Sequence, residues 1–97
     1  MTIHIDYIDC PESIEDKLAS KHGVTVKEAR QVLTNDPRIR FAEKGHEEGK
    51  DVYASFGQTL GGRYLAVFFI YEPEAARAVI ISARDMSRKE RKAYGKK

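Results

Sequence analysis

The chain has 97 residues, 41% of them apolar and 33% charged, with a net charge of +2. That balance excludes a disordered polymer and fits one globular domain spanning residues 1–97. A lone cysteine, Cys10, excludes an internal disulfide and fits a reducing compartment, and the longest apolar run, Leu65 to Tyr71, is far short of the roughly 20 residues a membrane helix needs.

In chain order, Ile3, Ile5 and Tyr7 alternate with His4 and Asp6, the period of a short strand. Pro11 and Ser13 then open a helix in which Ile14 and Leu18 share a face, running to His22 and stopping at Gly23. Thr25-Val26-Lys27-Glu28 is a capping box, and Val26, Ala29, Val32 and Leu33 form the apolar stripe of a second helix ended by Asn35-Asp36-Pro37. After Pro37 the period drops to two. Ile39 and Phe41 alternate with Arg38 and Arg40 in a strand, and Glu43 to Lys50 is a charged turn. Val52 to Gly57 is the next strand, with Tyr53, Ser55 and Gly57 on one face and Val52, Ala54 and Phe56 on the other. Gly61-Gly62 in the stretch Thr59 to Arg63 marks a hairpin turn, and Leu65 to Tyr71 reads as a central strand covered on both faces. Glu72-Pro73-Glu74 is a turn, Ala78 to Arg84 the last strand, and Ser87-Arg88-Lys89-Glu90 a second capping box that opens a final helix. The sum is an α+β domain: an N-terminal strand, two helices, a four-stranded antiparallel meander and a C-terminal helix.

The charge is unevenly spread along these elements. Residues 1–36 hold four Lys/Arg against seven Asp/Glu, residues 37–73 five against five, and residues 74–97 eight against three. A basic C-terminal block suits an anionic partner such as RNA, with ordinary solvated surface charge as the bland alternative. The N-terminus carries Asp6 and Asp9 and no basic-then-apolar leader pattern, so a cytoplasmic location is expected.

Three constellations could carry chemistry. Lys21 and His22 end the first helix, where the negative end of the dipole favours a protonated imidazole suited to general acid–base work; simple complementation of the helix end is the alternative. Arg63 begins the central strand and Arg84 ends the last one, so both are expected at one end of the sheet. There they could clamp one phosphate beside the free amides of Ser87 to Glu90, unless Arg84 is held by Asp85 or another carboxylate. Arg88, Lys89, Arg91 and Lys92 line the final helix, and Tyr94 could stack on a base or pack inward as an anchor, with Lys96 and Lys97 as solvated charge. Other chemistries find little support. His4, His22, His46 and Cys10 lack metal-ligand spacing, no phosphate loop is present, and Cys10 has no base nearby in sequence. Glu43, Glu47 and Glu48 could supply a carboxylate base, but a solvated loop would look the same.

Three stretches resemble the BrnT family, ribonuclease toxins of type II toxin–antitoxin pairs with a RelE-like fold. They are Lys21-His22-Gly23-Val24-Thr25 with Glu28-Ala29; Pro37, then Phe56-Gly57 and Gly62-Arg63-Tyr64-Leu65-Ala66-Val67; and Ile80-Ile81-Ser82-Ala83-Arg84-Asp85-Met86 with Glu90-Arg91 and Tyr94. The resemblance covers roughly residues 14–94. It implies metal-independent RNA cleavage by attack of a ribose 2′-OH on the adjacent phosphorus, inhibiting translation, with no cofactor. Arg84 and Arg63 would be the phosphate clamps, His22 and Lys21 would serve proton transfer and charge, and Arg88, Arg91, Lys92 and Tyr94 would hold the RNA. The implied partner is a small ribbon-helix-helix antitoxin, with a homo-oligomer or a toxin–antitoxin heterotetramer as the assembly. The chain departs from the family pattern in two places. It offers Tyr7 and Asp9 where a Trp-Asp pair is common, and Asp51-Val52 where a Glu-Arg pair often opens the strand, which removes one cation.

Overall fold

A computed structural model of the chain describes residues 3–45 and 49–95. His46, Glu47, Glu48, Lys96 and Lys97, and the expectations attached to them, lie outside the described residues. The elements are β1 (Tyr7–Asp9), α1 (Glu12–Lys17) continued by a π-helical turn (Leu18–His22), α2 (Val26–Thr34), β2 (Arg38–Glu43), β3 (Val52–Gln58), β4 (Tyr64–Glu72), β5 (Arg77–Asp85) and α3 (Arg88–Gly95).

The strands form one sheet in the order β1-β5-β4-β3-β2. The last four pair antiparallel as the sequence pattern suggests. β1 adds to β5 in parallel, making a mixed five-stranded sheet of the α+β class. β1 also starts later than the alternation from Ile3 implies. The amides of Asp6 and Tyr7 both donate to the Ala76 carbonyl, at 2.7 and 3.1 Å, and the parallel ladder begins only there. Ile5, expected in the strand, instead packs against the core without pairing.

The first helix follows the expected path with a different pitch. Its last turn widens to the π form and ends at Gly23, whose φ of 61° is the left-handed conformation that glycine adopts without Cβ strain. Pro11 sits at the cap rather than inside the first turn. The Thr25–Glu28 capping box closes reciprocally at the start of α2, and the apolar stripe Ala29, Val32 and Leu33 is buried. That stripe, with Leu18 and Val24, covers one face of the sheet, meeting Leu65, Val67, Phe69, Ala78, Ile80 and Ala83. Each large side chain buried there contributes about 1.5–3 kcal/mol. Gly57 lets α2 come close: a Cβ at that position would lie 3.1 Å from Val32 Cγ1.

The opposite face is covered only in part. Ala66 is buried, but Phe68 and Ile70 of the same strand face are half-buried. The central strand is therefore not covered evenly on both sides, because α3 is only eight residues long. This partly open face, and the sheet end beside it, carry most of the arginines discussed below. No described helix is long and apolar enough to cross a membrane.

Candidate nucleic-acid interface

Arg63 and Arg84 both reach the same end of the sheet, but they do not form one fork. The register pairs Leu65 with Asp85 and Ala66 with Arg84, so Asp85 lies on the helix-covered face and Arg84 on the open face. Arg63 follows Asp85. Its Nε donates to Asp85 Oδ1 at 2.8 Å and Nη2 to Asp85 Oδ2 at 3.2 Å. Nη1 donates to the Gly23 carbonyl at 2.7 Å and to Glu28 at 3.4 Å, and Nη2 also donates to the His22 carbonyl at 3.0 Å. All three guanidinium nitrogens are engaged. Arg63, expected as a phosphate clamp, is here held by protein groups and ties the hairpin before β4 to the α1–α2 junction and to the end of β5. The guanidinium beside them holds the Asp85 carboxyl below its usual range. At Glu28 the Thr25 amide has the larger effect in the same direction.

This tie brings the two ends of the chain together. The His22 backbone is bonded to Arg63, and the imidazole adds to the electrostatic stabilisation of the Asp85 carboxylate. Lys21 and His22 are exposed at this corner. Asp85 then links the corner to Arg84, because its carbonyl accepts a hydrogen bond from Arg84 Nη1 at 3.1 Å.

Arg84 is held on the other face. Its two Nη atoms grip Glu90 in a bidentate pair, at 2.6 and 2.9 Å, and its guanidinium carbon lies 5.3 Å from the Phe68 ring centroid. The carboxylate expected to hold Arg84 is thus Glu90, whereas Asp85 contributes only its backbone carbonyl. Chiefly through Arg84, Glu90 is pulled from an ordinary 4.5 to about 2. The capping box at Ser87 closes as the sequence pattern implies, with the Ser87 amide on Glu90 Oε1 at 2.8 Å and the Glu90 amide on Ser87 Oγ at 3.1 Å. The amides of Ser87 and Glu90 are occupied by the cap itself and are not free to add to a phosphate field.

A different set of cations is open. Arg38 and Arg40 of β2 stand two residues apart on one face, opposite Phe56 and Ala54. Neither forms an ion pair among the described residues, whereas Arg63, Arg77 and Arg84 do. The Arg38 guanidinium lies 5.6 Å from the centroid of Tyr94, that ring meets Tyr64 edge-on at 6.0 Å, and Arg91 lies 4.2 Å from Tyr64. Tyr94 is therefore both an anchor and a partly exposed ring wall. A small cleft lies here, lined by Arg38, Arg40, Phe56, Glu90, Ala93 and Tyr94. Arg88 and Lys92 are exposed on α3. Sequence reasoning used Arg38 and Arg40 only as the polar half of a strand. The signal was present, since arginine at alternate positions puts both charges on one face.

Among the described residues no cluster of three or more His, Cys, Asp or Glu is arranged to hold a metal. Burial raises the Cys10 thiol above its usual value, which does not favour a nucleophile.

Residues 13–90 match the family model described as "Ribonuclease toxin, BrnT, of type II toxin-antitoxin system". The fold is similar to the crystal structure of the Brucella abortus ribonuclease toxin BrnT. The TM-score is 0.61 at 18% identity, over 84% of this chain and 97% of that one. No curated protein sequence matches the chain significantly.

Proposed function

The chain belongs to the BrnT family of ribonuclease toxins of type II toxin–antitoxin systems, and from that premise we propose how it handles RNA. The strand is cleaved at the sheet end that Lys21 and His22 flank from the helix-covered side and Arg84 from the open side. The ribose 2′-OH attacks the adjacent phosphorus, a new O–P bond forms, and the P–O5′ bond breaks to leave a cyclic phosphate and a 5′-hydroxyl. His22 moves the proton, Lys21 and Arg84 offset the charge that builds on the phosphoryl oxygens, and Arg63 acts at one remove by fixing the backbone of His22. Arg88, Arg91 and Lys92 hold the RNA backbone. No metal takes part in this route, and the fold is read as RelE-like. The outcome is inhibited translation in the cytoplasm, relieved by a small ribbon-helix-helix antitoxin that assembles with the toxin into a heterotetramer.

One observation carries the reading. The hydrogen-bonded path from the His22 carbonyl through Arg63 and Asp85 to Arg84 ties the backbone of a candidate proton carrier to a candidate phosphate cation across 62 positions of sequence, and ends beside the basic α3.

Expression of the chain without its antitoxin should arrest bacterial growth, and purified protein should cleave RNA. His22→Ala or Arg84→Ala should lower cleavage by on the order of 10²-fold and relieve the arrest. If wild type and both variants cleave and grow alike, this assignment of the site is lost. Salt-sensitive RNA binding with no cleavage by wild type would leave a binding module instead.

A further inference from the structure

We propose that Asp85 and Glu28, gathered beside His22 by Arg63, are positioning residues that keep the imidazole protonated. His22 is then the general acid of the cleavage and delivers its proton to the departing 5′ oxygen. This assignment rests on the reading of the chain as an RNA-cleaving toxin. It adds a direction for the proton and the two carboxylates that set it.

The corner is built from the sequence outward. Leu18 and Val24 are both buried, and the Val24 amide closes on the Leu18 carbonyl at 3.0 Å, so the turn between them is anchored at each end. Gly23 turns the chain left-handed, which ends the helix and leaves the carbonyls of His22 and Gly23 without a helical donor. Arg63 takes both. One of its nitrogens, Nη2, reaches the His22 carbonyl at 3.0 Å and Asp85 Oδ2 at 3.2 Å. A single nitrogen thus sets the end of β5 beside the last residue of the first helix, where His22 is exposed and open to a leaving oxygen.

Charge decides what the imidazole does. On its own Arg63 would repel an imidazolium, but it is outnumbered. Asp85 accepts from Nε and Nη2, and Glu28 lies 3.4 Å from Nη1, so two carboxylates against one guanidinium leave one net negative charge. Both acids stay ionised, because their carboxyls are held below the usual range. Arg63 does most of this at Asp85, and the His22 ring adds to it. Attraction is mutual, so the carboxylate that the ring stabilises in turn favours the protonated ring. Lys17 and Lys21 on the same helix are exposed and oppose this only through screening solvent, while Arg84 lies on the other face of the sheet.

A protonated ring cannot accept the 2′-hydroxyl proton, but it can give a proton to the leaving group. As the 2′ oxygen bonds to phosphorus, the P–O5′ bond breaks and its electron pair moves to O5′, which takes the imidazolium proton. The products are a cyclic phosphate, a 5′-hydroxyl and neutral imidazole. The 2′-hydroxyl proton passes to water, and the ring regains a proton from water.

The test replaces the leaving atom. A short RNA spanning one bond that the wild-type full-length chain cuts is made with oxygen and with sulfur at the 5′ position of that bond, since sulfur leaves as a thiolate and needs no proton. His22→Ala should slow cleavage at oxygen by on the order of 10²-fold and at sulfur by less than about 5-fold. At about pH 8, Asp85→Asn and Glu28→Gln should each slow the oxygen bond by about 3-fold, the equivalent of one exposed ion pair, and leave the sulfur bond unchanged. Asp85→Glu should restore the wild-type ratio of the two rates. Damage to the fold slows both bonds alike, so that ratio separates positioning from damage. If His22→Ala slows both bonds equally, His22 is not the acid, and the toxin reading stands without this proposal. If Asp85→Asn and Glu28→Gln leave the ratio at its wild-type value, the carboxylates only hold the fold and the proposal fails. Wild type that cuts no RNA would overturn both.

Discussion

Two arginine-rich regions sit within one small domain, and they differ in what their guanidiniums touch. At the α1–α2 junction, Arg63 commits all three nitrogens to Asp85, Glu28 and the carbonyls of His22 and Gly23. Along the β2–α3 face, Arg38 and Arg40 meet a ring, a cleft and solvent, with no ion pair among the described residues. A cation whose donors are matched holds the fold, whereas an unmatched cation beside an aromatic ring is ready for a ligand. Arg84 stands between these cases. It is bidentate with Glu90, yet over a third of its side chain is exposed on the open face.

The sharpest way to break this contrast is to remove Arg63. Arg63→Ala leaves Asp85 and Glu28 without their partner and strands two carbonyls. Because the side chain is 30% exposed, solvent offsets part of the loss, and the cost should be about 2 kcal/mol, or roughly 10 °C in Tm. Arg63→Lys should recover little, since an ammonium cannot span four partners. Arg40→Ala should cost less than about 0.5 kcal/mol. Thermal unfolding followed by circular dichroism reads all three, and equal losses for Arg63→Ala and Arg40→Ala would erase the distinction.

Acid supplies a second, smaller test. Glu90 titrates at about 2 in the folded chain against an ordinary 4.5, and Asp85 and Glu28 shift in the same direction. A lowered folded-state value means that the unfolded chain takes up the proton first. The stabilisation is therefore complete above about pH 4.5 and is lost as pH falls towards 2. Glu90 alone should account for on the order of 2 kcal/mol after discounting for solvent screening. Denaturant titrations between pH 7 and 2.5 should show stability falling below pH 4.5, with a shallower fall in Glu90→Gln. A slope unchanged by that substitution would mean that the Arg84–Glu90 pair contributes nothing.

Much of the fold was legible because it is local. Both capping boxes, the stop at Gly23, the Gly61-Gly62 turn and the alternate faces of Val52 to Gly57 each depend on residues a few positions apart. What was missed depends on pairing at a distance. Nothing near Tyr7 signals that it will lie parallel to Arg77, and nothing near Arg63 signals Asp85, 22 residues away. The same limit applies to the site. Spacing could place Arg63 and Arg84 at one sheet end, but only the register puts them on opposite faces. Arg38 and Arg40 were legible as a charged face and unreadable as a cleft, because the opposing wall comes from Ala93 and Tyr94 at the far end of the chain.

The most direct measurement follows the arginine side-chain Nε–Hε signals by NMR while a short single-stranded RNA is added to the isotope-labelled protein. The account predicts that Arg38 and Arg40 shift early and together, while Arg63, held on Asp85, stays in place. Movement of Arg63 with Arg38 and Arg40 unperturbed would contradict it.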